Sequence, residues 1–166
     1  YGSVHQISDW KKFQEQIPGR DLVLGFGVKD AESHEILATV ICVKMETGKF
    51  NKFWFYSARG PVFDLKKHKK AGIFLVKEVA KSLQKLGGIF WRIDPYFNQN
   101  VINIFTDTSL KIKTAIQTYQ PENTLEIDLT LTENEILRQM KRKGRYNIKQ
   151  AQKNEVEIEI LKNSEF

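Results

Sequence analysis

The sequence predicts an α/β (α+β) fold in which a mixed, largely antiparallel sheet is flanked by helices. Three observations carry that expectation. Short runs rich in Val, Ile, Phe and Trp alternate with turn-like segments early in the chain. A long stretch with apolar residues near a 3.6-residue period follows, and a second helix opens with a capping box at Thr132 and Glu135.

The early strands are Asp21 to Val28, Ile36 to Val43 and Lys52 to Ser57, separated by the turns Lys29 to His34 and Glu46 to Asn51, which reads as an antiparallel three-strand meander. The helix runs from about Lys67 to Leu86, with Ala71, Phe74, Leu75, Val79, Leu83 and Leu86 on its inner face and Gly87-Gly88 as a left-handed stop. Gly88 to Ile93 is a strand that ends before Pro95. Between Asn98 and Gln120 two patterns compete: Asn100 to Phe105 alternates like a strand, and Leu110 to Tyr119 has the composition of a weak helix. Leu125 to Leu129 alternates apolar and acidic residues as a half-buried strand does. From Thr132 a helix with Ile136, Leu137, Met140, Ile148 and Ala151 inside continues to an exit at Asn154, and Val156, Ile158 and Ile160 form a last strand. These elements group into a first subdomain over 1–130 and the opening of a second over 131–166.

With 166 residues the chain has the length of one domain, or of one half of a two-lobed protein, at roughly 150 residues per domain. At 41% hydrophobic and 28% charged residues it is globular rather than disordered. The longest apolar run, Leu22 to Val28, falls far short of the roughly 20 residues of a membrane-spanning helix. The single cysteine, Cys42, excludes an internal disulfide and a multi-cysteine zinc site, and reads as a small buried hydrophobe in a reducing compartment. The chain opens on Tyr1 without a secretory-type segment, which suits a trimmed cytoplasmic piece. A net charge of +6 and a pI of about 9.3 favour anionic, phosphate-bearing partners.

The densest charge feature is Arg138, Lys141, Arg142, Lys143, Arg145 and Lys149, with no acidic residue between Leu137 and Lys149. Such a face binds phosphates by counterion release; its bland alternative is a solvated face whose side-chain stems cover the core edge. Arg145 and Tyr146 add a guanidinium fork and an aromatic plate suited to a diphosphate or a base. Gly144, costing about 1 kcal/mol relative to Ala inside a helix, suggests close approach of a ligand or a backbone. Tyr56 to Asp64 carries a strand into Arg59-Gly60-Pro61, a place where α/β folds put ligands, although Gly60-Pro61 also reads as a turn and Asp64 as a cap. Arg92 and Asp94 share one strand face opposite Trp91 and Ile93, as a ligand contact or an internal salt bridge. The cluster Lys66 to Lys70 reads as the start of a solvated helix. There is no phosphate-binding G-x-x-x-x-G-K-[ST] or G-x-G-x-x-G loop and no ligand or triad spacing around His5, His34 or His68, so neither metal nor cofactor is expected. The nearest match to an acyl-CoA turn, Gln84 to Ile89, lies at a helix exit and has Ile where a small residue is needed.

Several segments together resemble the N-terminal part of the Fem family (FemA, FemB, FemX). They are Gln6-x-x-x-Trp10-x-x-Phe13, Arg59-Gly60-Pro61-Val62-x-Asp64, Arg92-Ile93-Asp94-Pro95, Gln120-Pro121-x-x-Thr124 to Asp128-Leu129, and Met140-Lys-Arg-Lys-x-Arg145-x-Asn147-Ile148-x-x-Ala151. The likeness spans Gln6 to about Val156; His5 and Ile7 depart from the family's usual neighbours of the early Gln. The resemblance implies a GNAT-like sheet and an aminoacyltransferase that moves an amino acid from aminoacyl-tRNA to the stem peptide of a peptidoglycan precursor, lipid II or a UDP-muramyl-peptide, on the cytoplasmic side and with possible peripheral contact with the inner membrane surface. On that reading Arg145 and Tyr146, with Arg59, Asp64 and Arg92, bind the precursor, and Lys141, Arg142 and Lys143 serve the tRNA backbone or anionic lipid. The resemblance places no catalytic base. The alternatives are a non-catalytic RNA-binding module and a GNAT-like N-acyltransferase with another donor and acceptor.

Overall fold

A central strand, β2 (Ile36–Glu46), accounts for the apolar run from Ala38 to Val43. Ala38, Val40 and Cys42 face one hydrophobic cluster, and Ile41 and Val43 another. A strand covered on both faces needs consecutive rather than alternating apolar residues. The structure, a computed structural model, describes residues 3–48, 52–96, 101–105, 108–121 and 123–159. It divides into two compact units, Tyr1–Glu122 and Asn123–Phe166.

In the first unit β2 pairs antiparallel with β1 (Val23–Lys29) on one side. On the other it pairs first with β3 (Phe53–Arg59) and then with the two-residue β4 (Val62–Phe63). The expected meander is present, with strand limits moved by a few residues. The helix α2 (Lys69–Lys85) buries Gly72, Leu75, Val76, Val79 and Leu83, whereas Phe74 and Leu86, expected inside, are 56% and 48% exposed at the edge of that stripe. At its end Gly87 adopts φ +93°, Gly88 N–H donates to Leu83 O at 3.0 Å and Gly87 N–H to Gln84 O at 2.9 Å, the paired bonds of a left-handed stop. Because Gly88 still belongs to that stop, the next strand, β5 (Trp91–Pro95), begins later than expected and takes in Pro95, which an edge strand tolerates. β5 runs parallel to β3, giving the order β1-β2-β3-β5 with β4 on β2.

The ambiguous stretch resolves against both expectations. Val101–Phe105 is a short helix, α3, rather than a strand, and Asn100 lies outside the described residues. Residues 110–119 are irregular: Leu110 and Ile112 reach the core, but no periodic apolar face continues beyond them.

Two elements preceding the sheet have no structure assigned from the sequence: a 3₁₀ turn, η1 (Val4–Gln6), and α1 (Ser8–Glu15). They deliver Gln6 to a gap in the sheet. Where β2 exchanges β3 for β4, its residues Val40–Cys42 have no strand partner on that side. Gln6 fills the gap: its Oε1 accepts from Ile41 N–H at 2.8 Å and its Nε2 donates to Ala58 O at 2.6 Å. The side-chain amide thus replaces a missing rung, satisfying two backbone groups that would otherwise be orphaned. A Cβ at Gly60 would lie 2.7 Å from the Gln6 amide, so any side chain there must push the amide off its two bonds.

The second unit holds α4 (Glu133–Gln139) and α5 (Arg142–Lys153). The expected capping box is present, the Glu135 carboxylate accepting from Thr132 N–H at 2.9 Å and from the Thr132 hydroxyl at 2.7 Å. The single helix expected through Ala151 is broken: Met140 and Lys141 are extended, with ψ 149° at each. Arg145 holds the break, donating to Met140 O and, at 3.5 Å, to Arg138 O, carbonyls left open at a helix end. Asn154 caps α5 as expected. Leu125–Leu129 is not a strand. Leu125 and Leu129 are 89% and 83% exposed, and Asp128 turns the chain by accepting from Thr130 N–H at 2.9 Å. Val156 and Ile158 are likewise exposed and outside any strand, and Ile160 lies outside the described residues. Alternation alone does not make a strand when no neighbour supplies a ladder. Among the described residues no helix is long and apolar enough to cross a membrane.

Gln6→Ala is expected to destabilise the fold by about 2–5 kcal/mol in urea unfolding, because it strands both Ile41 N–H and Ala58 O. Gly60→Ala is expected to cost about 1–3 kcal/mol in the parent, and much less in the Gln6→Ala background where the clash is gone. Additive losses would refute the contact.

Candidate functional site

Parallel pairing of β3 with β5 sets Tyr56 beside Arg92 and Ala58 beside Asp94. Side chains alternate along each strand, so Phe55 and Ser57 enter the core while Trp54 and Tyr56 point to the other face. Trp91 follows the core side, its Nε1 donating to Ser57 Oγ at 2.9 Å, and Arg92 and Asp94 join Tyr56, as their spacing predicted. Ser57 in turn lies 3.4 Å from Cys42 Sγ, and burial pushes that thiol up to about 12, so Cys42 is a packing residue.

The exposed face carries a polar cluster at the carboxyl ends of the parallel pair, where α/β sheets open toward ligands. The Tyr56 hydroxyl donates to Asp94 Oδ2 at 3.4 Å and accepts from Gln120 Nε2 at 3.2 Å. Burial raises the phenol's pKa, with the Asp94 charge adding to it against the Gln120 bond. Trp54 stacks on Phe90 at 5.0 Å, and Tyr119 stands edge-on to Tyr56 at 5.5 Å. Arg92 lies 3.8 Å from the centre of the Tyr119 ring and donates to Gln117 O. It forms no salt bridge with Asp94, so that alternative is set aside. Arg59 donates to Pro121 O at 2.7 Å and lies 5.1 Å from the Tyr96 ring. Its φ of +51° is strained for a side chain with a Cβ, a feature that concentrates at functional sites.

Asp64 is placed elsewhere. Its carboxylate accepts from Lys66 N–H at 2.8 Å and Lys67 N–H at 3.0 Å, which holds it below the usual carboxylate range. It orders the loop into α2, together with an open groove lined by Ile36, Thr39, Val62, Lys67 and His68. In the second unit Lys141, Arg142, Lys143 and Tyr146 are exposed, Tyr146 by 59%. Arg145 is engaged with the end of α4. A Cβ at Gly144 would meet only Met140 Cβ, at 3.9 Å, so no neighbouring backbone requires the glycine.

Sequence reasoning gave no site role to His5, Tyr119 or Gln120, although Gln120 stands in one of the Fem-like motifs. His5 Nδ1 lies 2.9 Å from Ser3 Oγ, and its ring sits edge-on to Trp10 at 4.5 Å. Burial, then the Arg59 charge, lowers the imidazole pKa, and Asp94 opposes them. Among the described residues no cluster of His, Cys, Asp or Glu could hold a metal ion.

His5 is therefore expected to titrate below the ordinary histidine value in an NMR titration. Arg59→Gln should raise that value and Asp94→Asn should lower it further; opposite shifts would refute the placement. Near pH 6 the unfolded chain binds more protons at this residue than the folded one, so His5 makes stability rise with pH across that range and fall on acidification.

No protein-family model and no curated protein sequence matches the chain. Solved structures do resemble it. FemX overlays 92% of this chain and 39% of its own, with a TM-score of 0.67 and 16% identity. An aminoglycoside acetyltransferase, meta-AAC0020 from an uncultured soil metagenomic sample, solved with trehalose, overlays 75% of this chain and 78% of its own, with a TM-score of 0.50 and 12% identity. The chain thus spans about two fifths of FemX, and it has the mixed, largely antiparallel GNAT-like fold that FemX and acetyltransferases share.

Proposed function

We propose that this chain is part of an N-acyltransferase that passes an aminoacyl group from aminoacyl-tRNA to an amine on the stem peptide of a peptidoglycan precursor. The observation that carries the reading is the extent of the FemX likeness. At 92% of the chain it reaches beyond the first unit, where an acetyltransferase overlay of 75% stops near the first unit's length. The Fem-like motifs in both units support the same reading.

In this reaction the acceptor amine attacks the ester carbonyl, the tetrahedral intermediate expels the ribose hydroxyl, and the proton lost by the amine ends on that oxygen. An ester is already activated, so the protein's task is orientation and stabilisation of the developing oxyanion. Arg59 and Arg92 offer guanidinium donors to the precursor's phosphates beside an aromatic wall of Trp54 and Tyr56. Asp64 contributes by ordering the loop that follows Arg59. In the second unit Arg145 and Tyr146 are assigned to the precursor and Lys141, Arg142 and Lys143 to the tRNA backbone, with salt-sensitive affinity.

In the complete protein that contains this chain, labelled amino acid should move from charged tRNA to a UDP-muramyl-peptide or lipid II and not from an acyl-CoA. Arg145→Ala should weaken precursor binding about tenfold or more while changing tRNA affinity only modestly. Transfer from acyl-CoA alone, or equal losses for both ligands, would overturn the assignment.

A further inference from the structure

We infer that residues 117–121 form a displaceable strap whose carbonyl groups occupy the places where Arg59 and Arg92 take the oxygens of a phosphorylated ligand. The inference rests on those arginines being ligand groups, as proposed above.

The strap's anchors are site side chains. Arg59 donates to Pro121 O at 2.7 Å, Arg92 to Gln117 O, and Gln120 to the Tyr56 hydroxyl at 3.2 Å, while Tyr119 lies against Arg92 and Tyr56. Among the described residues a further contact is that of Tyr119 with Trp54, at 6.1 Å between ring centres. The segment has no helix or strand, Ile116 and Tyr119 are exposed by 106% and 47%, and the nearest upstream residues that reach the core are Leu110 and Ile112. A segment with few buried apolar contacts opens at low cost in free energy. Opening about Leu110–Ile112 frees both arginines and the Tyr56–Asp94 pair together.

The donors favour exchange. Each guanidinium carries five N–H groups, yet among the described residues neither forms an ion pair with a carboxylate. Both are satisfied instead by neutral backbone carbonyls. A phosphate adds an opposite charge and bidentate geometry that a neutral carbonyl lacks, so a ligand bearing it competes with the strap for the same guanidinium donors. The closed strap then lowers apparent affinity in proportion to the fraction of molecules in which it is shut, and weakening it tightens binding.

The test is an NMR titration of the full chain with pyrophosphate, following the cross-relaxation between the Tyr119 and Tyr56 rings. Pyrophosphate is expected to abolish that signal as it saturates. Tyr119→Ala is expected to bind it about two- to fivefold more tightly, the worth of one exposed cation–ring contact. Arg92→Ala is expected to bind it at least about tenfold more weakly. Binding that depends on Arg92 but leaves the ring contact intact, or that weakens in Tyr119→Ala, overturns the strap and leaves the ligand role of the arginines standing. No binding by the parent or by Tyr119→Ala overturns both.

Discussion

The site depends on one side-chain amide. A sheet strand that exchanges one neighbour for another leaves backbone groups without partners, and buried orphans cost more than almost any single favourable contact returns. Gln6 has both an acceptor and a donor at the reach of one side chain, and it closes the gap between Ile41 and Ala58. Neither Glu nor Asn matches it: the first lacks the donor, the second the length. With the gap closed, β3 can leave β2 and continue to Arg59 in its parallel ladder with β5. Gly60 follows from the same contact, since anything larger would strike the amide.

The second organising feature is parity. Parallel pairing of β3 and β5 puts Phe55, Ser57 and Trp91 on the core side and Tyr56, Arg92 and Asp94 on the other. The core side is fully satisfied down to its polar atoms, with Ser57 between Trp91 and Cys42. The outer side is where charge without carboxylate partners accumulates, beside stacked aromatics and a strained arginine.

Much of this was legible in the sequence, for identifiable reasons. The meander, α2 and its glycine stop, and the Thr132 capping box are local features, and local patterns declared them. The same logic put Arg92 and Asp94 on one face. Alternation at Leu125–Leu129 and Val156–Ile158 misled because a strand needs a partner, and the described residues supply none there. The break at Met140 was hidden because Arg145, which stabilises it, reads equally well as one more cation in a helix face. His5, Tyr119 and Gln120 entered the site through contacts far apart in sequence, which no periodicity records. Gln6 was visible only as part of a family-like motif; its structural role appears when the two ladders of β2 are laid side by side.

Amide hydrogen exchange at Ile41 tests the Gln6 constraint most directly. In Gln6→Ala the account predicts that the Ile41 amide exchanges about tenfold faster or more relative to Val43, whose place in the sheet does not involve Gln6, while the Tyr56 and Asp94 resonances shift as the end of β3 loosens. Unchanged Ile41 exchange, with Tyr56 and Asp94 undisturbed, would contradict it.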